Sequence, residues 1–232
     1  MHEPANSLLA ALPQIECQRF LAGLTPVMLK FREVLHEPGA RIRHVYFPID
    51  SVVALLATAS GHKAVKVAFV GHEGMVGIPL ALGIESSHRR ALVQGAGMAM
   101  RMEAAIFLAE VRRSKPLQQA LFQFKHALTG QIAQSAACKQ FHALEARLAR
   151  YLLMIGERAR SNEYPLTQEF LADMLGVRRS SVAMASSALR KRELIKTGHG
   201  TITILDRARL GAASCECYGV IKRMYAKANA VG

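Results

Sequence analysis

Arg178, Arg179, Ser180 and Ser181 are consecutive and bring two guanidinium groups and two hydroxyls to one place in the chain. Arginine pairs bidentately with the major-groove edge of guanine, and a serine hydroxyl bonds either a phosphate or a base edge. Val182, Ala185 and Leu189 follow at helical spacing, so a helix over about residues 179–192 buries that stripe and leaves the four polar residues and Met184 near its exposed N-terminal end. Cations at a helix start oppose the macrodipole, and that placement makes more sense with an anionic partner. Arg179 is the leading candidate for contact with a base.

The elements around this cluster are those that hold such a helix in place. Thr167 is an N-cap for a helix over Gln168–Leu175, in which Phe170, Leu171, Met174 and Leu175 supply an apolar face. Gly176 suits the positive φ of a tight inter-helix turn, and Val177 plugs the angle. Together they predict a helix-turn-helix over about residues 167–190, with Thr167 and Gln168 at the mouth of the site. Leu194 to Thr197 and Thr201 to Leu205 flank Gly198-His199-Gly200 and predict a hairpin, the wing of a winged helix. It offers Lys196, His199 and Thr201 to backbone phosphates. A helix over about 143–158 precedes the motif.

The N-terminal half has a different texture. After a helical lead-in over about 7–23, Val45-Tyr46-Phe47, Val52 to Leu56, Val65 to Val70, Ala91 to Val93 and Met98 to Met102 are short β-prone runs between turn and glycine signals, as in a small barrel or roll. Glu103 to Arg113 predicts a helix, and Pro116 opens a longer one. There Leu117, Leu121, Phe124 and Leu128, then Gln131, Ser135, Cys138 and His142, follow a 4-3 spacing. The apolar first half fits either a dimer seam or a face buried on its own domain, and the polar second half does not sustain a long coiled coil. The expected class is α+β: a β-roll sensor-like domain (1–114), a dimerisation helix (115–142), a winged helix-turn-helix domain (143–212) and a C-terminal tail (213–232).

Composition narrows the partners. The chain has 232 residues, with 30 Lys and Arg against 17 Asp and Glu. Half of the basic side chains fall within residues 145–232, so the C-terminal part is the more densely positive and favours an anionic partner. No run of 18 apolar residues exists and the first residues lack a signal-like pattern, which predicts a cytoplasmic protein without membrane association. Cys17, Cys138, Cys215 and Cys217 make no disulfide framework, and Cys215-Glu216-Cys217 offers only two ligands, so reduced thiols and no metal are expected. Haem ligation by His36, His44, His62 or His72 has no support from spacing. There is no catalytic elbow and no phosphate-binding loop, and the neighbours His72 and Glu73 sit on a turn where a catalytic pair is seldom built. No enzymatic activity or catalytic residue is expected.

Taken in order, the Leu-rich lead-in, His44-Val45-Tyr46-Phe47-Pro48, the glycine-rich middle, the long helix, and Thr167 to Ile195 followed by a wing resemble the Crp-Fnr superfamily of bacterial regulators. That resemblance implies a cyclic-nucleotide-binding-like roll, a dimerising helix, and a winged helix that binds double-stranded DNA as a homodimer on a roughly palindromic operator. It further implies RNA polymerase and a small-molecule effector as partners. The cyclic-AMP binders of the family carry Gly-Glu-Leu and Arg-Ser-Ala segments; here the corresponding stretches are Gly77-Ile78-Pro79 and Arg89-Arg90-Ala91, without the ribose-binding carboxylate. The candidate effector pocket is therefore Gly71, Glu73, Gly77, Arg89 and Arg90, with Glu73 standing in under a shifted alignment and cyclic nucleotide as a doubtful ligand. Where the cyclic-AMP receptor has Arg-Glu-Thr-Val, this chain has Arg179-Ser180-Ser181-Val182; losing the acid removes an acceptor for cytosine and implies a different operator. The competing expectation is a nucleotide-responsive module whose winged helix docks on a protein.

Overall fold

The computed structural model describes residues 5–58, 64–159, 161–198 and 200–229. Its N-terminal half is a roll of two antiparallel sheets. One has the order β1-β7-β3 (Thr25–Leu29, Gly97–Glu103, His44–Pro48) and the other β2-β6-β4-β5 (Val34–His36, Arg90–Gly95, Val52–Ala57, Val65–Val70). The five β-prone runs expected from the sequence are all strands; β1 and β2 were not anticipated. The lead-in divides at Pro13 into α1 (Ser7–Ala10) and α2 (Gln14–Ala22), since proline has no N–H to continue the first helix. Edge-on contacts of Phe20 with Phe47 and Phe107 pack α2 and the next helix, α3 (Ala104–Arg113), onto the β1-β7-β3 sheet.

Ser114 caps the 27-residue helix α4 (Lys115–Phe141) by accepting from the Leu117 N–H, with Pro116 in the first turn. Its 4-3 stripe does not face outward. Leu117, Leu121, Phe124, Leu128, Gln131 and Cys138 are buried within the chain's own fold, against strand β5 and a helix at the far end of the sequence, α9 (Cys217–Asn229). The residues expected to be a tail are therefore structured: Cys217, Ile221, Tyr225 and Ala228 recur at helical spacing and are buried. These positions make an intrachain seam, the own-domain alternative that the sequence left open.

After α5 (Leu144–Ala159) come a two-residue strand β8 (Glu163–Tyr164), α6 (Gln168–Leu175), α7 (Arg179–Lys191), β9 (Ile195–Gly198), β10 (Thr201–Ile204) and α8 (Arg207–Ala213). The small sheet runs β8-β10-β9, with Ile202 opposite both Tyr164 and Thr197. The class is mixed α and β, with an N-terminal roll, long helices and a C-terminal winged helix-turn-helix. No helix among the described residues is long and apolar enough to cross a membrane.

One apolar core runs from Leu8 in α1 to Ala228 in α9 and includes both the roll and the winged helix. Where they meet, α5 contributes three buried arginines, Arg147, Arg150 and Arg158. The Arg158 Nε lies 2.7 Å from Glu73 Oε1, both side chains being 7% exposed. The guanidinium also donates to the Met154 carbonyl and lies over the Tyr225 ring of α9. Burial works against the charge of Arg158, but Glu73, with Tyr225 and Glu157, outweighs it, so the net shift is upward. The clamp requires Gly71, because a Cβ there would come 2.5 Å from Cγ of Arg158. Beside it, the Tyr151 hydroxyl donates to buried Gln94 of β6 at 2.6 Å, and Arg147 donates to the Leu175 carbonyl at the end of α6 at 2.8 Å.

Removing one partner of a buried ion pair strands the other charge, at a cost of about 3–5 kcal/mol, whereas an apolar replacement of both is much milder. Glu73→Ala should lower unfolding stability by that amount in urea titrations. The double variant Glu73→Leu with Arg158→Met should be more stable than Glu73→Ala; equal or lower stability would show that the pair itself stabilises the fold.

Candidate nucleic-acid interface

The helix-turn-helix is built as its sequence suggests. Thr167 accepts from the Phe170 N–H at 3.1 Å and opens α6; Gly176 ends it at φ 65° and ψ 47°, where its N–H and that of Val177 close back on the carbonyls of Asp173 and Ala172. A left-handed residue here is what glycine accommodates at least cost. Val182, Ala185, Ser186 and Leu189 bury one side of α7. Arg178, Arg179 and Ser180 are exposed, and Met184 is 69% exposed. The first turn of α7 contains no acid. Among the described residues no side-chain hydrogen bond or ion pair holds Arg178 or Arg179, so two free guanidiniums project from a helix end that is itself partially positive.

Thr167, Gln168, Arg179 and Thr201 line one open groove of about 620 Å³ between α6, α7 and the wing, together with Gly198 and Gly200. Lys196 is exposed on β9. Ser181 and Met184 border a second depression on the other flank of α7, with Leu144 and Glu145 of α5. His199 lies outside the described residues.

The groove also holds residues that sequence reasoning missed. Arg32, in the turn between β1 and β2, lines it while its guanidinium lies 5.3 Å from the ring centroid of Phe170; nothing in the local sequence joins residue 32 to residue 170. Thr197 lines it too, and its hydroxyl accepts from Arg190, which also donates to Ser187. Arg190 and Ser187 were detectable, because positions 179, 183, 187 and 190 share a helix face.

The candidate effector residues do not converge. Glu73 is committed to Arg158 and to the Gly71 N–H. Arg90 pairs with Glu37 at 2.7 Å. Gly77, at φ 100°, precedes the 3-10 turn Ile78–Leu82. Burial lowers the pKa of Arg89, whose Nε has no partner among the described residues, and burial followed by Arg89 itself lowers that of His36. The cleft beside Glu73, about 370 Å³, is walled by α5 and α9 residues such as Glu157, Tyr218 and Lys222, and neither Arg89 nor Arg90 belongs to it. Glu73 is therefore not a free carboxylate awaiting a ribose.

Cys215 and Cys217 are not an isolated pair. With Cys138 and His142 from the end of α4 they form a group whose four ligand atoms lie within 4.8 Å of one another.

Residues 146–213 match the family model of the Crp-like helix-turn-helix domain. A comparison of the sequence with curated proteins found no match. Among solved structures, a transcriptional regulator of the Crp/Fnr family from Eubacterium rectale aligns at TM-score 0.67 with 16% identity, covering 89% of this chain and 96% of that one. FixK2 from Bradyrhizobium japonicum aligns at 0.66 with 16% identity, covering 83% and 98%. The c-di-GMP-responsive global regulator CLP of Xanthomonas campestris aligns at 0.64 with 14% identity, covering 84% and 100%.

The Thr167 cap carries a measurable share of the head's stability. Thr167→Ala should cost about 1 kcal/mol in urea unfolding, and Thr167→Ser should retain most of it; equal losses would assign the effect to packing of the threonine methyl.

Proposed function

With residues 146–213 a Crp-like helix-turn-helix domain carried on the fold of Crp/Fnr regulators, we propose that this chain is a sequence-specific DNA-binding transcription regulator. It acts as a homodimer on a roughly palindromic operator. The observation that carries this reading is the polar groove in which Arg179 meets Thr167, Gln168 and Thr201 beside the wing.

In this reading α7 enters the major groove N-terminus first. Arg179 pairs with the O6 and N7 of a guanine, while Ser180 and Ser181 bond a base edge or phosphate. Thr167 and Gln168, at the first turn of α6, present backbone N–H groups to a phosphate. Arg178, Lys196 and Thr201 hold the flanking backbone, Arg32 adds charge from the roll, and the net charge of +13 draws the protein to DNA at long range.

The dimer face lies on α4, opposite the intrachain seam. Phe122, His126, Thr129, Ala133, Ala136 and Gln140 recur at 4-3 spacing and are all exposed, and their small central residues allow a second helix to approach closely. Pairing there sets two recognition helices on half-sites about 10 bp apart. The roll biases the spacing of the heads through α4 and α5, as a population shift between two arrangements. Its effector, if small, is recognised without a free carboxylate at Glu73, which argues against ribose binding in the manner of cyclic AMP.

Selection from random DNA, followed by binding measurements across a salt series, tests the proposal. Two dyad-related half-sites should be enriched, with affinity falling as salt rises; recovery of unrelated sequences at equal affinity would overturn it. Arg179→Ala should cost about 1–3 kcal/mol on the selected site and relax one base position per half-site, while Lys196→Ala should weaken all sequences alike and reduce the salt slope by about 1. Equal losses for Arg179→Ala on selected and random DNA would make that residue a phosphate clamp.

A further inference from the structure

We propose that Cys138, His142, Cys215 and Cys217 form a closed Cys₃His site for one zinc ion, fastening the last helix of the chain to the junction between α4 and α5. The site stands apart from the DNA-binding reading and does not depend on it.

The four ligands come as two pairs. Cys138 and His142 are four residues apart at the end of α4, hence on one face. Cys215 and Cys217 flank Glu216 at the corner between α8 and α9. The fold brings these pairs together across more than 70 residues of chain. The Cys138 and Cys215 sulfurs are 3.4 Å apart, and the Cys217 sulfur is 3.5 Å from His142 Nδ1. A tetrahedral ion bound at about 2.3 Å to sulfur and about 2.0–2.1 Å to nitrogen places its ligand atoms at nearly these separations. The three cysteines are free and buried, and they form their own small core with Ala146, separate from the main one.

The surroundings are those of a metal-binding histidine. Its other nitrogen, Nε2, is taken by Glu216 at 3.0 Å, which leaves Nδ1 facing the sulfurs. A carboxylate on the far nitrogen of a ligating imidazole orients the ring and raises its basicity. Gln134 donates to the Cys217 sulfur at 3.0 Å, as outer groups around a bound metal do to its ligands.

Charge gives an independent argument. Arg147 and Arg150 are buried, and among the described residues neither has a carboxylate partner: Arg147 donates to a carbonyl and Arg150 to a thioether, with its Nε unpaired. Both arginines sit in the first two turns of α5, which begins two residues after His142. Three thiolates and a neutral imidazole around a divalent cation carry one net negative charge, a counterion for guanidiniums that otherwise lack one. Binding releases the three thiol protons to solvent and changes no oxidation state. With all four positions filled by protein, the site is structural. A single ion also suits the tight spacing better than an iron–sulfur cluster, which must fit several irons between its ligands.

The test uses the full chain, purified reduced and without chelator. Elemental analysis should find about one zinc per chain, released when p-mercuribenzoate titrates the thiols. Exchange for Co²⁺ should give the intense visible bands of a tetrahedral thiolate site. Cys215→Ser and His142→Ala should each lose these bands, Cys17→Ala should keep them, and Glu216→Gln should weaken metal affinity by about 10–100-fold. The wild-type measurement stands even if a variant fails to fold. A folded wild-type chain that takes up neither zinc nor Co²⁺, an octahedral Co²⁺ spectrum, an iron–sulfur chromophore, or loss of the bands in Cys17→Ala with retention in Cys215→Ser would overturn the proposal.

Discussion

The buried ion pair between Glu73 and Arg158 constrains the rest of this molecule. A guanidinium removed from water is costly unless a carboxylate and hydrogen bonds replace its hydration. Here the carboxylate comes from the turn after β5, a carbonyl from α5 itself, and an aromatic face from α9. Three regions far apart in sequence must be present at once for Arg158 to be buried. The lack of a side chain at Gly71 is a consequence of that demand. The winged helix is thereby seated on the roll through one continuous core.

From that seat the geometry of the groove follows. Helix α5 is buried along nearly its whole length, so it has no freedom to turn and serves as the base on which α6 and α7 are oriented. Arg147 ties the end of α6 to α5, and the Phe31–Phe170 contact, with Arg32 beside it, fixes the start of α6 to the roll. The N-terminus of α7 is left to solvent, with guanidinium groups that nothing among the described residues neutralises. A molecule that closes a buried ion pair in its interior and leaves these cations unpaired at a helix end has a surface suited to a polyanion.

Local chemistry was legible in the sequence wherever it is self-contained. Helix α6 begins and ends where Thr167 and Gly176 indicate because a cap and a left-handed residue act within four positions of themselves, and the wing is marked by its own glycines. Strands β1 and β2 were missed because their partners are distant: Thr25 pairs with Arg101 and Val34 with Leu92, and half of their residues are exposed. The 4-3 stripe on α4 was visible, but periodicity says only that a face is covered. What covers it is the roll and α9, whose own spacing at Cys217, Ile221, Tyr225 and Ala228 signals a helix. Glu73 looked like a possible ligand for a ribose until Arg158, 85 residues away, claimed it. Cys138 and His142 likewise lacked meaning beside Cys215 and Cys217 until the chain folded.

The claim that DNA meets the N-terminal end of α7 is tested most directly by site-specific cross-linking. A photoreactive phenylalanine analogue placed at Ser180, or separately at exposed Ile106 of α3, is irradiated in the presence of the DNA selected by the protein. The account predicts covalent protein–DNA adducts from position 180, within the half-sites, and none from position 106. Adducts from position 106 with none from position 180 would contradict it.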